Sequence, residues 1–516
     1  MEEFYNLPLT DFSQSENRQA MTSAIDCVRS QLGRTHDIII GTKRIRSPEQ
    51  FQSLNPSRKN EVVGSFQKGT VDLVNEAILV ADGAFERWSR TSVEERVEYL
   101  LRLSRIVRAR RLELAAWMVL EVGKSWVEAD ADVAEAVDFF EFYSREMLRL
   151  ATPRPLVEID SEENTLDYIA LGVGVIIPPW NFPLAILGGM AFAAVVAGNT
   201  VVMKPSSDSP AIASVLMDIV QETGFPPGVV NLLTGSGGEI GDALVKHPRT
   251  RFVSFTGSKE VGLRINELAA VPQPGQIWIK RVVAEMGGKD SIVVDSESDL
   301  DAASAGVTAA AFGYQGQKCS ACSRAIVVEP VYDEFLEKLQ EKTQNTIVEG
   351  DVEQSGVNFG PVINQRAMES IQGHIEVGKK EGRLVMGGEA GSSEGYFIHP
   401  TIIADLPPNS TMAQEEIFGP ALAVIKAHDF DDALEIANNT QFGLTGSVYT
   451  ENRAKIDKAR SEFHVGNFYI NRKCTGAMVG VHPFGGFNMS GTDSKAGGPD
   501  YLLLFTQAKT VSEKVS

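Results

Sequence analysis

Apolar residues recur at helical spacing from about Thr70 to Leu150, then give way to short apolar runs divided by glycine and proline. Within the helical stretch, Val97, Leu100, Leu101, Leu103 and Ile106 follow the amphipathic period. Just before them, Thr91-Ser92-Val93-Glu94-Glu95 holds two overlapping capping boxes and predicts a helix start. Residues 1–35 are polar with helical stretches and are expected to form an N-terminal arm. Asp160-Ser161-Glu162-Glu163-Asn164 is a turn between two runs of strand character, which predicts a hairpin near residues 152–170.

Beyond it, strand and helix signals alternate. Val173–Ile177 and Thr200–Met203 are buried-strand runs, and Pro210 to Gly224 is a helix with a glycine stop. A strand at Val229–Leu233, a helix from about Glu239 to Lys246 and a strand at Arg251–Phe255 follow. Such alternation predicts a parallel, doubly wound α/β sheet. A second α/β block is expected from about Asp290 to Asn471, with strands near 292–294, 325–328 and 422–425. The tail, Phe505 to Val515, alternates weakly and is expected to add a strand to another element.

A chain of 516 residues exceeds one compact core, so two or three domains are expected. The net charge of −20, from 48 basic and 68 acidic residues, argues against nucleic acid or an anionic membrane as partner. No apolar run approaches spanning length, and the acidic first residues lack a signal-peptide n-region. The four cysteines, Cys27, Cys319, Cys322 and Cys474, are too few for a disulfide framework in so long a chain. A cytoplasmic location is the expectation.

The candidate chemistry lies in two glycine-flanked loops. Gly316-Gln317-Lys318-Cys319 presents a thiol just before the apolar run Ala325–Val328, and Ala284-Glu285-Met286-Gly287-Gly288 presents a carboxylate. A nucleophile and a base so placed suggest covalent catalysis through a thioester. A third loop, Pro178-Pro179-Trp180-Asn181-Phe182-Pro183, is made rigid by its prolines. Two readings of Asn181 stay open at this point: an amide aimed at a developing oxyanion, or a cap for the following helix. Gly235-Ser236-Gly237-Gly238-Glu239-Ile240 follows a strand but misses the dinucleotide fingerprint by one residue, at Ile240. Phe255-Thr256-Gly257-Ser258 opens another helix, whose free N–H groups suit phosphate.

Six motifs stand in an order that resembles the aldehyde dehydrogenase superfamily over nearly all the chain beyond the arm. They are Pro179–Pro183, Phe255–Ser258, Glu285-x-Gly287-Gly288-Lys289, Gly316-Gln317-x-Cys319, Glu415–Pro420 and Pro483–Gly486. Gly316–Ala321 and Phe484–Thr492 are similar, more narrowly, to the branch that oxidises L-glutamate γ-semialdehyde in proline catabolism. The resemblance implies a Rossmann-type NAD-binding domain (36–151 and 171–287), an α/β catalytic domain (288–485) and a small β oligomerisation flap (152–170 and 486–516). It implies Cys319 as nucleophile, Asn181 with the Cys319 N–H as oxyanion hole, and Glu285 as the base that hydrolyses the thioester. Members that pass the acyl group to coenzyme A usually lack this glutamate.

For the cofactor, the resemblance implies contacts from Pro179, Trp180, Lys204, Ser207, Gly237, Thr256, Gly257, Ser258, Glu416 and Phe418. Many NAD-preferring relatives carry glutamate where this chain has Ser207, so NAD is expected with NADP tolerated. The substrate's carboxylate end would be held by Ser320 and the Gly476-Ala477 amides, with Phe182 and Phe484 along its aliphatic part. A homodimer or higher assembly is also implied.

Other readings are weaker. Cys319-x-x-Cys322 has no second such pair and no histidine pair at ligand spacing, so no metal is expected. Cys322 is expected to be a buried thiol able to bridge Cys319 on oxidation, and Cys27 and Cys474 to be structural. No Gly-x-Ser-x-Gly elbow stands at a strand end. A catalytically silent relative would usually have lost the nucleophile or the base. A dehydrogenase for another small aldehyde, such as succinate semialdehyde, is the alternative within enzymes.

Overall fold

The computed structural model describes residues 3–153 and 155–515. Met1, Glu2, Arg154 and Ser516, which fall in the expected arm and flap, lie outside the described residues.

The first large sheet has seven strands, in the order Arg281–Glu285, Thr250–Thr256, Val173–Ile177, Thr200–Met203, Val230–Leu232, Ile38–Ile40, Lys43–Ile45. The first five are parallel, and the last two add an antiparallel edge that the sequence reading did not contain. Val173–Ile176 and Thr200–Met203 are buried, as helix-covered parallel strands must be. Gly174 is required there: a Cβ would lie 2.1 Å from the Phe252 ring on the neighbouring strand.

Strand order runs outward from Val173–Ile177 through Thr200–Met203 to Val230–Leu232, then returns to Thr250–Thr256 on the other side. That reversal makes a topological switch point at the carboxyl ends of Val173–Ile177 and Thr250–Thr256, where open α/β sheets bind ligands. Pro178–Asn181 leaves one of these ends and Gly257-Ser258 the other.

The second sheet also has seven strands, in the order Arg383–Met386, Thr401–Ala404, Ala421–Ala427, Cys322–Val328, Asp290–Val294, Thr445–Tyr449, Asn467–Ile470. All pairings but that of Arg383–Met386 are parallel. The chain passes from the carboxyl end of the first sheet, at Glu285, to the amino end of the second, at Asp290, in four residues. The cleft between the sheets is therefore lined by loops of both.

Helices Val71–Trp88, Val93–Ala109, Arg111–Val122 and Trp126–Ala151 fill the expected helical region. Of the two overlapping capping boxes, the protein uses the second: Ser92 is the N-cap and accepts from the Glu95 N–H. The helix expected from Glu239 begins instead as a wide π-turn, Gly237–Gly241, and becomes α-helical at Asp242–Lys246. The expected N-terminal arm carries a docked helix. Helix Ser15–Arg29 buries Met21, Ile25 and Val28 in the main core and packs on Arg111–Val122.

The hairpin near residues 152–170 does not form. Glu162–Ala170 pairs instead with Thr506–Lys514, in nine antiparallel register pairs from Thr506↔Ala170 to Lys514↔Glu162. The tail thus supplies the strand expected of it. Of the expected turn only Asp160-Ser161 forms, with Ser161 left-handed at φ 63°, and Glu162–Asn164 belongs to the strand. The turn says nothing of which distant strand becomes the partner. No described helix is long and apolar enough to cross a membrane.

Candidate active site

Glu285 ends the edge strand Arg281–Glu285 in register with Thr256, and its carbonyl accepts from the Gly257 N–H at 3.0 Å. The segment Ser490–Thr492 lies across the strand end. Met286 N–H donates to the Ser490 carbonyl at 2.7 Å, and Thr492 exchanges hydrogen bonds with Ala284. These contacts fix the Glu285 backbone. Part of the residue stays open to the cleft, yet Oε2 itself is shut off from solvent and has no hydrogen-bond partner among the described residues. Burial, opposed by hydrogen bonds from Ser494, pushes the carboxyl up to about 7.

The Cys319 loop reaches its position through strained backbone. Tyr314 and Gln315 are left-handed at φ 51° and 55°, and Gly316 follows at φ 66°. Tyr314 is anchored by its hydroxyl donating to the Val122 carbonyl at 2.8 Å. Gly316 is indispensable, since a Cβ would lie 2.3 Å from the Gly419 carbonyl oxygen. Burial and the carboxylates of Asp290, Glu416 and Glu285 push the Cys319 thiol up. In the protein alone the thiol is therefore protonated at neutral pH.

Asn181 is buried, and its Nδ2 donates to the Gln317 carbonyl, two residues before Cys319, at 3.0 Å. The helix-cap reading fails. The following helix, Ala185–Val196, has Leu184 at its N-cap and no side-chain cap. Gln317, buried, in turn accepts from the Ile363 N–H at 2.9 Å through Oε1.

Glu416 and Phe418 come from the other wall. Glu416 Oε1 accepts from the Gly288 N–H at 3.0 Å, and a Cβ on Gly287 would meet its carboxyl group at 2.0 Å. Burial pushes Glu416 to about 7. Phe418 is left-handed at φ 55° and meets Trp180 edge-on, ring centroids 5.5 Å apart; Pro179 beside it is half-buried.

The remaining candidates for a dinucleotide line the other strand ends of the first sheet. Lys204 is buried and donates to the Pro205 carbonyl at 3.1 Å; burial brings its amine down to about 8. Ser207 Oγ donates weakly, at 3.5 Å, to the Gly235 carbonyl, joining two strand-end loops. Gly237 is exposed, with open space where a Cβ would stand. Thr256 Oγ1 lies 3.5 Å from the Met190 sulfur, and Ser258 caps helix Lys259–Ala270 through the Val261 N–H. A Cβ on Gly257 would strike the Phe255 ring at 2.6 Å. These residues fit a dinucleotide. A buried amine with protons to spare, a helix N-terminus and a carboxylate lie along one row of strand ends at a switch point.

On the substrate side, Cys474 ties two predicted anchors together. Its thiol donates to the Ser320 carbonyl at 3.4 Å, and Cys474 stands two residues before Gly476, itself left-handed at φ 79°. Arg472 holds the carbonyls of Thr475 and Gly476, at 2.9 and 3.2 Å, and Ala477 is half-buried beside them. Phe182 lies under two ammonium groups, Lys124 Nζ at 3.8 Å and Lys318 Nζ at 6.0 Å from the ring centroid. Phe484 is half-buried and exchanges backbone hydrogen bonds with Ala496. Cys322 is buried, its thiol donating to the Arg324 carbonyl at 3.4 Å. Cys27, expected to be structural, is exposed on its helix.

Sequence reading missed Ser494, whose hydroxyl donates to Glu285 Oε1 at 2.6 Å, and the ion pair Lys318–Glu128 at 2.7 Å beside Phe182. Ser494 sits just past the Phe484–Thr492 motif, in Asp493-Ser494-Lys495, a polar turn signal that carries no mark of its target. Among the described residues no cluster able to hold a metal ion is present.

Comparison with known proteins agrees with this geometry. The model of the aldehyde dehydrogenase family matches residues 44–511. The 1-pyrroline-5-carboxylate dehydrogenase of Geobacillus thermodenitrificans is 56% identical over 506 residues, 98% of each chain. A mutant form of 1-pyrroline-5-carboxylate dehydrogenase from Thermus thermophilus has a TM-score of 0.98 at 47% identity, covering 100% of this chain and 99% of that one. A structure of the Thermus enzyme with bound NAD matches to the same degree. Betaine aldehyde dehydrogenase from Staphylococcus aureus, in complex with NAD+, has a TM-score of 0.89 at 26% identity, covering 96% of this chain and 98% of that one. With a family match over nearly the whole sequence and a shared fold to match, the chain belongs to the aldehyde dehydrogenase family.

Proposed function

We propose that this protein oxidises L-glutamate γ-semialdehyde, the open form of 1-pyrroline-5-carboxylate, to L-glutamate with NAD. What carries the reading is one juxtaposition: Cys319 lies in the electrostatic field of Glu285, whose Oε2 is unpartnered, and the residue after that cysteine is tied to the Gly476 loop. The relatives that match over 98% of their length carry the name of this activity.

The steps follow from the residues. Cys319 must shed its proton before it attacks, because its surroundings push the thiol up; that proton leaves to solvent water in the cleft, and Glu285 stays ionised for the later step. The thiolate sulfur attacks the aldehyde carbon. The oxyanion that forms is held by the second proton of Asn181 Nδ2 and by the Cys319 N–H. NAD, when bound, accepts the hydride. Lys204, Ser207, Gly237, Thr256, Gly257 and Ser258 would hold its adenosine and pyrophosphate side, and Pro179, Trp180, Glu416 and Phe418 its nicotinamide side. A thioester on Cys319 results, and Glu285 takes a proton from the water that hydrolyses it. Ser320 and the amides of Gly476 and Ala477 grip the substrate carboxylate, with Phe182 and Phe484 along its methylenes.

Ser207 places no charge against a 2′-phosphate, so NADP is tolerated. The ribbon Glu162–Ala170/Thr506–Lys514 is the oligomerisation flap of a homodimer or larger assembly, and the four free thiols suit the cytoplasm.

The test is steady-state NADH formation with pyrroline-5-carboxylate against a panel of aldehydes that includes succinate semialdehyde. A kcat/KM highest for pyrroline-5-carboxylate is expected; a higher value for succinate semialdehyde overturns the substrate assignment. A preference for NAD over NADP above about a thousandfold overturns the cofactor reading.

A further inference from the structure

Ser494 stands between two residues, Asp493 and Lys495, whose backbones are left-handed at φ 53° and 50°. Non-glycine residues avoid that region unless the surroundings impose it. Here they do. Lys495 Nζ donates to the carbonyls of Gly466 and Gly485, both at 2.8 Å, and Ala496 is laddered to Phe484. The turn so fixed is buried at Ser494 and aims its side chain at the base. Ser494 Oγ donates to Glu285 Oε1 at 2.6 Å, and the Ser494 N–H adds a longer contact at 3.4 Å. Gly485 and Gly491 make room: a Cβ on either would stand 3.2 or 3.3 Å from Oε1. The carboxylate is thereby divided. Oε1 is held from one side, while Oε2, shut off from solvent, has no partner among the described residues. A buried carboxylate oxygen without a donor is unfavourable unless a reacting group meets it.

We propose that Ser494 is a positioning residue for deacylation, which by fixing Oε1 leaves Oε2 as the single oxygen that takes the proton of the attacking water. The inference rests on Glu285 acting as the deacylation base. In that step the water oxygen bonds to the thioester carbon and its proton passes to Oε2. The C–S bond then breaks and Cys319 leaves as thiolate; no electrons change hands.

The charged and titratable groups facing Glu285 are Asp493 and Lys495 beside Ser494, Cys319 across the cleft, and Tyr501 behind. Burial is the main influence raising the carboxyl, and the Ser494 hydroxyl is the largest opposing it. Without that hydroxyl the group stays protonated to higher pH, and a protonated carboxyl cannot take the proton of the attacking water.

The experiment reads deacylation directly. Enzyme with NAD is mixed with pyrroline-5-carboxylate, quenched in acid, and the decay of the acyl-enzyme is followed by intact mass from pH 5.5 to 9. Wild type should decay faster as pH rises through a midpoint near 7. In Ser494→Ala the midpoint should move up by roughly one unit and decay at pH 7 fall about fivefold, while the first burst of NADH keeps its rate. Ser494→Thr, which keeps the hydroxyl, should restore both. A Ser494→Ala profile that overlays wild type, or a Ser494→Thr profile equal to that of alanine, overturns the inference. Should alanine lower Tm, Ser494→Cys keeps the volume with a weaker donor and must show the same upward shift. Glu285→Gln separates the two levels. If it decays at the wild-type rate, the base assignment itself falls; if it stalls while Ser494→Ala is normal, only the role of Ser494 falls.

Discussion

Glu285 closes one strand and Glu163 stands next to the start of another, yet they belong to regions built in opposite ways. Glu285 faces the cleft among buried charged groups: Arg324 donates to the carbonyls of Lys289, Ile436 and Ala437, and Asp290 accepts from the Thr445 N–H. Glu163 sits on the ribbon Glu162–Ala170/Thr506–Lys514, where almost every residue of Thr506–Lys514 is exposed and alternate residues of Glu162–Ala170 are. In the cleft, water is excluded, charged forms are disfavoured, and the carboxyl is tuned toward neutrality. On the ribbon the backbone is paired but the side chains find little to pack on. A two-stranded ribbon of this kind is marginal by itself and is an open template for another chain. The contrast is between polar groups buried and held by distant segments, which shifts their protonation, and polar groups left in water, which stay ordinary.

The sharpest way to break the comparison is Cys319→Ala. It should lower kcat/KM by about 10⁴-fold or more with Tm unchanged, measured by NADH formation and thermal unfolding; residual turnover near wild type would mean the cleft is not the reaction site. Glu285→Gln should slow turnover by roughly 10²–10⁴-fold and leave acyl-enzyme visible by mass. It also tests the cost of tuning. A carboxyl whose pKa is raised on folding is ionised at a cost to stability that is absent well below its ordinary range and complete above about 7. Glutamine should therefore raise Tm at pH 8, by roughly 1–3 °C, and leave it unchanged at pH 4. An equal change at both pH values would refute the burial argument.

Asn181→Ala should reduce kcat by about 10²–10³-fold, the effect of one oxyanion donor, with KM little altered. A rise in KM alone would instead mark Asn181 as a support of the Gln317 loop. The smallest effect on catalysis belongs to the ribbon. Ile169→Asp with Val511→Asp, two exposed apolar positions on its two strands, should reduce the solution mass seen by light scattering while kcat falls by no more than about twofold. A collapse of kcat would show that cleft and ribbon are not independent.

Much of the fold is legible because its signals are local. Ser92 caps where Ser-x-x-Glu predicts, and Gly224, at φ 84°, ends its helix. The buried runs at Val173 and Thr200 become strands because unbroken apolar character suits nothing else between glycine and proline breaks. What the sequence left unread is chiefly partner choice. The ribbon turned out to pair over 300 residues away, the N-terminal helix docks into the core, and Ile38–Ile40 joins a sheet whose other strands come much later in the chain. Of the candidate site, Cys319 and Glu285 were readable from glycine-flanked loops. Asn181 was ambiguous until its amide was seen on Gln317, and Ser494 was invisible because its partner is 209 positions upstream.

By itself, then, the sequence determined the alternation of elements, the two loops bearing thiol and carboxylate, and the family they resemble. These depend on residue type and short spacing. The tertiary structure alone decided that Glu285 keeps one oxygen held and the other buried without a partner, that Cys474 joins Ser320 to the Gly476 loop, and that the tail completes a ribbon. Burial and hydrogen-bond geometry belong to the packed chain, and they shift the Glu285 carboxyl from its ordinary value up to about 7.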